Sequence, residues 1–303
     1  MVRLENISKS FKNIKAVDNI SFKIPESKIT IIAGADGSGK STIFKMIVGL
    51  IKKDSGKIYL QEEDIGKNYR KITSIAGYMP ERFSLYKDLT VEENMDFFAD
   101  INQVPEKKKE ELKSRLLTKT GMSNFKNRRA GDLSGGMKQK LALSTILLSI
   151  PEFIILDEPT TGVDPLSRIE FFNIIKELKE DGKTIIISTP YLDEAENGDY
   201  IVFVRNGRII KTDSINILKN NFPAKLFKIL PKGNIFEIIN KLKKYEDLKD
   251  NIYIQGKYLK YIQTEESNYK HLIPHYSIEE EKPKLEDIYI YYERMEEQRI
   301  IEA

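Results

Sequence analysis

Cysteine is absent from the 303 residues, and histidine occurs only twice, at His271 and His275. The first absence excludes disulfides and thiolate chemistry and fits a reducing compartment. The second leaves too few ligands for a structural zinc site. No uninterrupted apolar run approaches the roughly 20 residues that span a bilayer, and the opening "MVRLENISKS" lacks the apolar core of a secretory signal. The chain is therefore expected in the cytosol. An excess of one charge sign is missing as well: 49 basic against 46 acidic residues leave +3, too near balance to indicate nucleic acid or an anionic membrane surface. Runs such as "PEKKKEELKSR" mix both signs at helical spacing and read as solvated helix faces.

What is present suits one large domain and a small one, since 40% of the residues are hydrophobic. Short β-like runs, "KITIIAG" (28–34), "FIILDEP" (153–159), "TIIIS" (184–188) and "YIVFVRNGRII" (200–210), are separated by stretches of helical period. This order indicates an α/β sheet. The runs at 153 and 184 are apolar throughout, as strands covered on both faces are. No clear strand appears between about 84 and 145, where "TVEENMDFFADIN" and "EKKKEELKSRLLTKTG" read as helices of an inserted subdomain. Thr90 and Glu93 have the spacing of a reciprocal N-terminal cap. After "NNFPAK" the composition shifts to Lys, Tyr and Ile. There "KLFKIL", "NIFEIINKLKKY", "NIYIQG" and "KYLKYIQT" read as strand, helix and two strands joined near Gly256, a small α+β unit. The boundaries are set at 1–218 and 219–303.

The strand "KITIIAG" runs into "GADGSGKST" and then into the helical "TIFKMIVGL". Gly34, Gly39, Lys40 and Ser41 have the spacing and the strand–loop–helix setting of a phosphate-binding loop. Small residues let backbone N–H groups converge, and the helix opening near Lys40 adds its positive end. Lys40 is expected to reach the outer phosphates, and the Ser41 hydroxyl to ligate Mg²⁺. "FIILDEP" then brings Asp157 and Glu158 to the carboxyl end of a buried strand, where parallel sheets bind ligands. Asp157 suits the metal, and Glu158 suits the role of general base toward an attacking water. Upstream, "LSGGMKQ" (133–139) opens a helix and presents Ser134, Gly135 and Gly136 as a second anion-binding start. If the two loops start helices on different subdomains, one cannot close over the nucleotide held by the other. A head-to-tail dimer resolves this, each chain closing its partner's site.

"GADGSGKST", "LSGGMKQ", "FIILDEP" and "TTGVDP", in that order, resemble the nucleotide-binding domain of ABC transporters over about residues 1–218. The resemblance implies an α/β fold, the ABC-type P-loop ATPase domain with a mixed sheet and inserted helical subdomain, followed by the small C-terminal α+β domain. It implies ATP and Mg²⁺ as cofactors, with ATP contacts from Ala35 and Asp36 through Gly37, Ser38, Gly39, Lys40, Ser41 and Thr42. Phe11 matches the aromatic that stacks on adenine, with Val17 beside the base, although a phenylalanine there could equally belong to the core. Ser134, Gly135, Gly136 and Asp164 match contacts to the partner subunit's nucleotide and to the opposite subunit. Glu81, in "GYMPERFSLYKDLTVEEN", stands where the family usually has glutamine. It remains a candidate for the metal and for orienting water, at the cost of added negative charge.

In the resembling family the strand "TIIIS" ends in a histidine that contacts the γ-phosphate. Here "STPYLDEAE" puts Pro190 at that position. Proline has no donor and no ionisable side chain. One reading is slow hydrolysis at this chain's own site with binding retained. The other is that Thr189, Tyr191 or water replaces the contact, or that the proline simply ends the strand. The implied function is the ATP-binding subunit of a membrane transporter, working on separate transmembrane permease subunits from the cytoplasmic face, as a homodimer or with another ABC ATPase. The closing "KPKLEDIYIYYER" is similar to exporter-type subunits. The alternative is an ATP-dependent binding or regulatory switch with little turnover.

Overall fold

The computed structural model describes residues 2–66, 68–82, 85–231, 233–245, 248, 250–264 and 276–302. Both histidines lie outside the described residues. Two compact units divide the chain, residues 1–212 and 213–303. The division falls slightly before the 218/219 junction read from sequence. Ile215 and Leu218 of the helix Ile215–Asn220 are buried, and this helix packs on the closing helix Leu285–Glu302, so it belongs to the second unit.

In the first unit, every residue of β3 (Ile29–Ala33) and β7 (Phe153–Asp157) is buried, as continuous apolar runs in a covered parallel sheet require. They belong to a six-stranded sheet in the order β10 (Arg208–Ser214), β9 (Tyr200–Arg205), β3, β8 (Thr184–Thr189), β7, β6 (Ala76–Met79). All pairings from β9 to β6 are parallel. The run 200–210 is therefore two strands rather than one. Asn206 and Gly207 between them have φ of 48° and 75°, the left-handed pair of a two-residue hairpin turn.

A second, antiparallel sheet has the order β2 (Ile14–Ile24), β1 (Val2–Phe11), β4 (Ser55–Leu60), β5 (Glu63–Asp64). Between the two sheets lies α1 (Lys40–Ile47). Its Ile43, Phe44, Met46 and Ile47 share one core with Leu4, Ile7 and Ile20 on one side and Ile32, Ile155 and Ile186 on the other. The short α2 (Arg70–Thr73) precedes β6, while α6 (Pro165–Glu180) and α7 (Leu192–Ala195) flank β8.

The insertion consists of α3 (Val91–Ile101), α4 (Glu106–Lys119) and α5 (Gly135–Leu147). The expected cap is present: Glu93 N donates to Thr90 Oγ1 at 3.1 Å, and Thr90 N donates to Glu93 Oε2 at 2.7 Å.

The second unit begins with α8 (Ile215–Asn220) and contains the elements read from sequence, β11 (Lys225–Leu230), α9 (Ile235–Leu242), β12 (Ile252–Gln255) and β13 (Tyr258–Gln263). Two more join them, β14 (Ser277–Glu281) and α10 (Leu285–Glu302), and the sheet order is β12-β13-β11-β14. The sequence "SIEEE" has too few apolar positions to announce β14. Tyr253 and Asp287 fasten α10 to the sheet through a buried 2.5 Å hydrogen bond.

Thr90→Ala removes the acceptor for Glu93 N and should destabilise the insertion by about 1 kcal/mol, read as a lower urea midpoint at unchanged slope.

Candidate functional site

The sheet order decides which residues meet. In parallel strands all carboxyl ends face one edge, so β3, β8, β7 and β6 deliver the phosphate loop, Pro190, Asp157–Glu158 and Glu81 side by side. Because β8 lies between β3 and β7, Pro190 emerges between the phosphate loop and the two carboxylates.

The loop is fixed from several sides. Gly34 N donates to Thr189 O at 3.3 Å, and Gly207 N donates to Ser38 O at 2.9 Å. A Cβ on Gly34 would lie 2.1 Å from Val204 O, and one on Gly39, at φ 106°, 2.4 Å from Ala16 O. The β9–β10 turn thus braces the loop, a role the sequence reading missed. The signal available was the dipeptide Asn206-Gly207 itself.

Lys40 is 3% exposed, and its ammonium donates to Gly34 O at 2.8 Å and Ala35 O at 3.0 Å. It also lies 3.2 Å from Glu158 Oε1 and 3.9 Å from the exposed Asp36. Ala35 and Gly37 are exposed beside Asp36, Ser41 and Thr42 are half-buried, and Ser38 Oγ is buried without a hydrogen-bond partner.

Asp157 is 1% exposed. Its Oδ1 accepts from Ser188 Oγ at 2.6 Å and Ser41 Oγ at 3.0 Å, while Oδ2 is buried and has no partner. Burial is the main influence on this carboxyl and raises its pKa, against the lowering effect of both hydroxyls and of Lys45; the charge of Glu81 raises it further. Ser188 Oγ also accepts from Glu158 N at 3.0 Å, so one hydroxyl seats both acidic residues. Glu158 has φ 49°, a left-handed conformation that is strained for a non-glycine residue.

A serine hydroxyl and a carboxylate with a free buried oxygen fit Mg²⁺, which prefers one or two carboxylates with substrate phosphates completing its shell. Among the described residues no group of three or more His, Cys, Asp or Glu forms a closed metal cage. Tyr78, half-buried on β6, has its hydroxyl raised well above the ordinary phenol range, first by burial and then by the charge of Asp157.

The other expected contacts divide. Phe11 is 43% exposed with the Lys9 ammonium 5.4 Å from its ring centre, so it lies outside the core and is open to a stacking partner. Val17 is fully buried, with its side chain 3.5 Å from where a Gly39 Cβ would stand. It packs against the loop at Gly39. Glu81 is exposed and helps line a cleft of about 380 Å³ with Leu85, Lys87, Ala130, Lys138 and Gln139, beside the start of α5. A larger cavity, about 420 Å³, opens at Phe153 and Thr184, the amino ends of β7 and β8, on the edge away from the phosphate loop.

Ser134 caps α5, accepting from Met137 N at 3.3 Å, and it and Gly135 are exposed. A Cβ on Gly136 would lie 2.4 Å from Ser167 Cβ, so glycine lets α5 approach the start of α6. Asp164 caps α6 by accepting from Ser167 N at 2.9 Å, a bond that lowers its pKa. These residues gather around one another, on α5 and α6, and not around Lys40.

A nucleotide-triphosphate-binding ATPase is the class this fold and loop define. Residues 17–161 match the family described as ABC transporter. The chain is 34% identical over 298 residues to the probable multidrug ABC transporter ATP-binding protein YbhF of Escherichia coli, covering 96% of this chain and 51% of that protein. It is 36% identical over 212 residues to the lantibiotic transport ATP-binding protein SrtF of Streptococcus pyogenes, covering 69% of this chain and 89% of that one. The dimeric structure of an ATP-binding cassette in a post-hydrolysis state, bound to ADP and Pi, superimposes with a TM-score of 0.64 at 27% identity, covering 71% of this chain and 98% of that chain. The chain belongs to the ABC transporter family, as an ATP-binding protein with the ABC cassette fold. It spans about half the length of YbhF. Among the described residues no helix is long and apolar enough to cross a membrane.

The raised carboxyl of Asp157 gives a test. The folded chain holds this proton more tightly than the unfolded chain, so the group's contribution is greatest below its unfolded pKa and is lost as pH rises through the folded value. At neutral pH the charged form therefore costs stability. Asp157→Asn should raise the melting temperature without nucleotide and weaken Mg²⁺-dependent ATP binding by about 10- to 100-fold, measured by thermal unfolding and by nucleotide titration.

Proposed function

We propose that the chain is the ATP-driven subunit of a transporter whose membrane-spanning permease subunits are separate chains, and that it acts from the cytoplasmic face. Two copies, or one copy and another ABC ATPase, close head to tail over Mg²⁺–ATP. The loop from Ala35 to Thr42 grips the phosphates of one nucleotide while Ser134, Gly135 and Gly136 of the facing chain cover it. The exposure of Ser134 and Gly135, and the closeness of Gly135 and Gly136 to the 162–167 segment around Asp164, support this division. Lys40 would turn from the loop carbonyls to the outer phosphates. Ser41 and Asp157 would hold Mg²⁺, which would supply positive charge against the negative charge developing on the phosphates. Glu158, seated by Ser188, takes the proton of the attacking water. Export is the proposed direction, supported by the closing "KPKLEDIYIYYER" and by relatives named for multidrug and lantibiotic transport.

The position of Pro190 carries the further proposal that hydrolysis at this site is slow. It sits between the phosphate loop and Glu158 and offers no donor. The neighbouring Thr189 is already engaged. The Thr189 hydroxyl is 1% exposed, donates to Glu194 Oε2 at 2.6 Å and accepts from Tyr191 N at 3.0 Å. The Tyr191 ring stacks under Arg168, 4.8 Å away. Losing one positioned contact to transition-state charge costs about 2.7–4 kcal/mol, or roughly 10²–10³ in rate, while binding through the loop survives. Glu81, whose charge already bears on Asp157, favours a second reading in which ATP clamps a dimer as a switch with little turnover.

Steady-state ATPase of the wild type and Pro190→His separates these outcomes. The histidine should raise kcat by on the order of 10²-fold. A wild-type rate already near about 10 s⁻¹ that the histidine leaves unchanged would contradict slow hydrolysis.

A further inference from the structure

Glu194 is buried, 2% exposed, yet it belongs neither to the phosphate loop nor to the metal pair. Its Oε1 accepts from Thr160 Oγ1 at 2.7 Å, and its Oε2 accepts from Thr189 Oγ1 at 2.6 Å. Arg168 Nε lies 3.1 Å from Oε1. Each partner comes from a different working segment. Thr160 follows Glu158 and Pro159 at the exit of β7, Thr189 precedes Pro190 at the exit of β8, and Arg168 lies in the first turns of α6, the helix capped by Asp164. The Thr189 hydroxyl also accepts from Tyr191 N, so both neighbours of Pro190 hang on one side chain.

A carboxylate in such a place is expensive. Burial raises its pKa, and the two hydroxyls and Arg168 oppose that shift. A well-packed apolar residue would commonly be no less stable. The chemical reason for a carboxylate is that it accepts from every side. A glutamine keeps one acceptor oxygen, enough for Thr160 and Arg168, but its N–H would face Thr189, whose hydroxyl would then have to accept this bond besides the one from Tyr191 N and lose its own donation.

We propose that Glu194 is a positioning residue that locks the Pro190 turn to the segment leaving Glu158 and, through Arg168, to the Asp164 end of α6. The three segments then shift as one body when the partner-contacting stretch from Thr160 to Asp164 moves. With proline at 190 offering nothing to the phosphate side, the turn is held from behind by this carboxylate. The tie acts on the hydrolytic step and leaves nucleotide binding to the loop. Only that kinetic part rests on the function proposed above; the mechanical link between the segments does not.

The test uses the full chain carrying Thr160→Val or Thr189→Val, with Thr160→Ser and Thr189→Ser as variants that keep the hydroxyl. Amide hydrogen exchange is followed in the peptides covering 158–168 and 188–196. Thr160→Val should speed exchange in 188–196, and Thr189→Val in 158–168, each by about tenfold, and serine should restore the wild-type rates. Single-turnover hydrolysis of Mg²⁺–ATP should slow about tenfold in both valine variants, with the nucleotide Kd unchanged and the double variant no slower than the slower single one. Exchange that rises only in the substituted segment, or serine variants as loose as the valine ones, would overturn the tie. A wild type that binds ATP but never hydrolyses it would overturn the function proposed above, while reciprocal exchange would still decide the role of Glu194.

Discussion

A buried ammonium with only acceptors around it is the constraint on which the first unit is built. Lys40 begins α1, is 3% exposed, and is held by two loop carbonyls and by Glu158. An ammonium so placed needs anionic company, and the nearest groups supply it in part: Glu158 at 3.2 Å, with Asp36 further off at 3.9 Å. Phosphate oxygens offer the same charge with better reach, and the converging N–H groups of the loop add to them. For the ammonium to stand there, β3 must end in a tight turn and α1 must start at once. That is why Gly34 and Gly39 press within 2.1 Å and 2.4 Å of neighbouring carbonyls when given a Cβ.

The rest of the site follows from strand order. With β8 set between β3 and β7, Ser188 can reach both Asp157 and Glu158, and Thr189 can reach Gly34. One strand thus fixes Asp157, Glu158 and the edge of the phosphate loop, the three parts to which the proposed mechanism assigns metal, base and phosphates. The same order puts Pro190 where a donor to the phosphates would be most useful. The proposed slow hydrolysis with binding retained rests on this separation, since the phosphate loop follows β3 and Pro190 follows β8.

Much of this was legible where the chemistry is local in sequence. The phosphate loop, the Asp157–Glu158 pair, the Thr90–Glu93 cap and the serine–glycine start of α5 each lie within a few residues, and their geometry is set by backbone turns and caps. The residues that escaped are those whose role comes from a distant neighbour. Ser188 reads as the polar end of an apolar strand until β7 is placed beside it. Gly207 reads as part of a strand until its turn meets Ser38, and Glu194 reads as one acidic residue among several until it closes on Thr160 and Arg168. In the second unit β14 carries too few apolar residues to signal a strand, and α8 was assigned across the junction because its contacts are with α10, far along the chain.

The proposed mechanism needs one nucleotide shared between Lys40 of one chain and Ser134 of another. Two singly substituted proteins, Lys40→Ala and Ser134→Ala, test this directly by size-exclusion chromatography with Mg²⁺–ATP. Alone, each should fail to form an ATP-dependent dimer, since every site lacks one half. Mixed, they should associate, because one of the two sites in the mixed dimer keeps both Lys40 and Ser134. Mixing that restores nothing, or single variants that dimerise with ATP as the wild type does, would contradict the shared site.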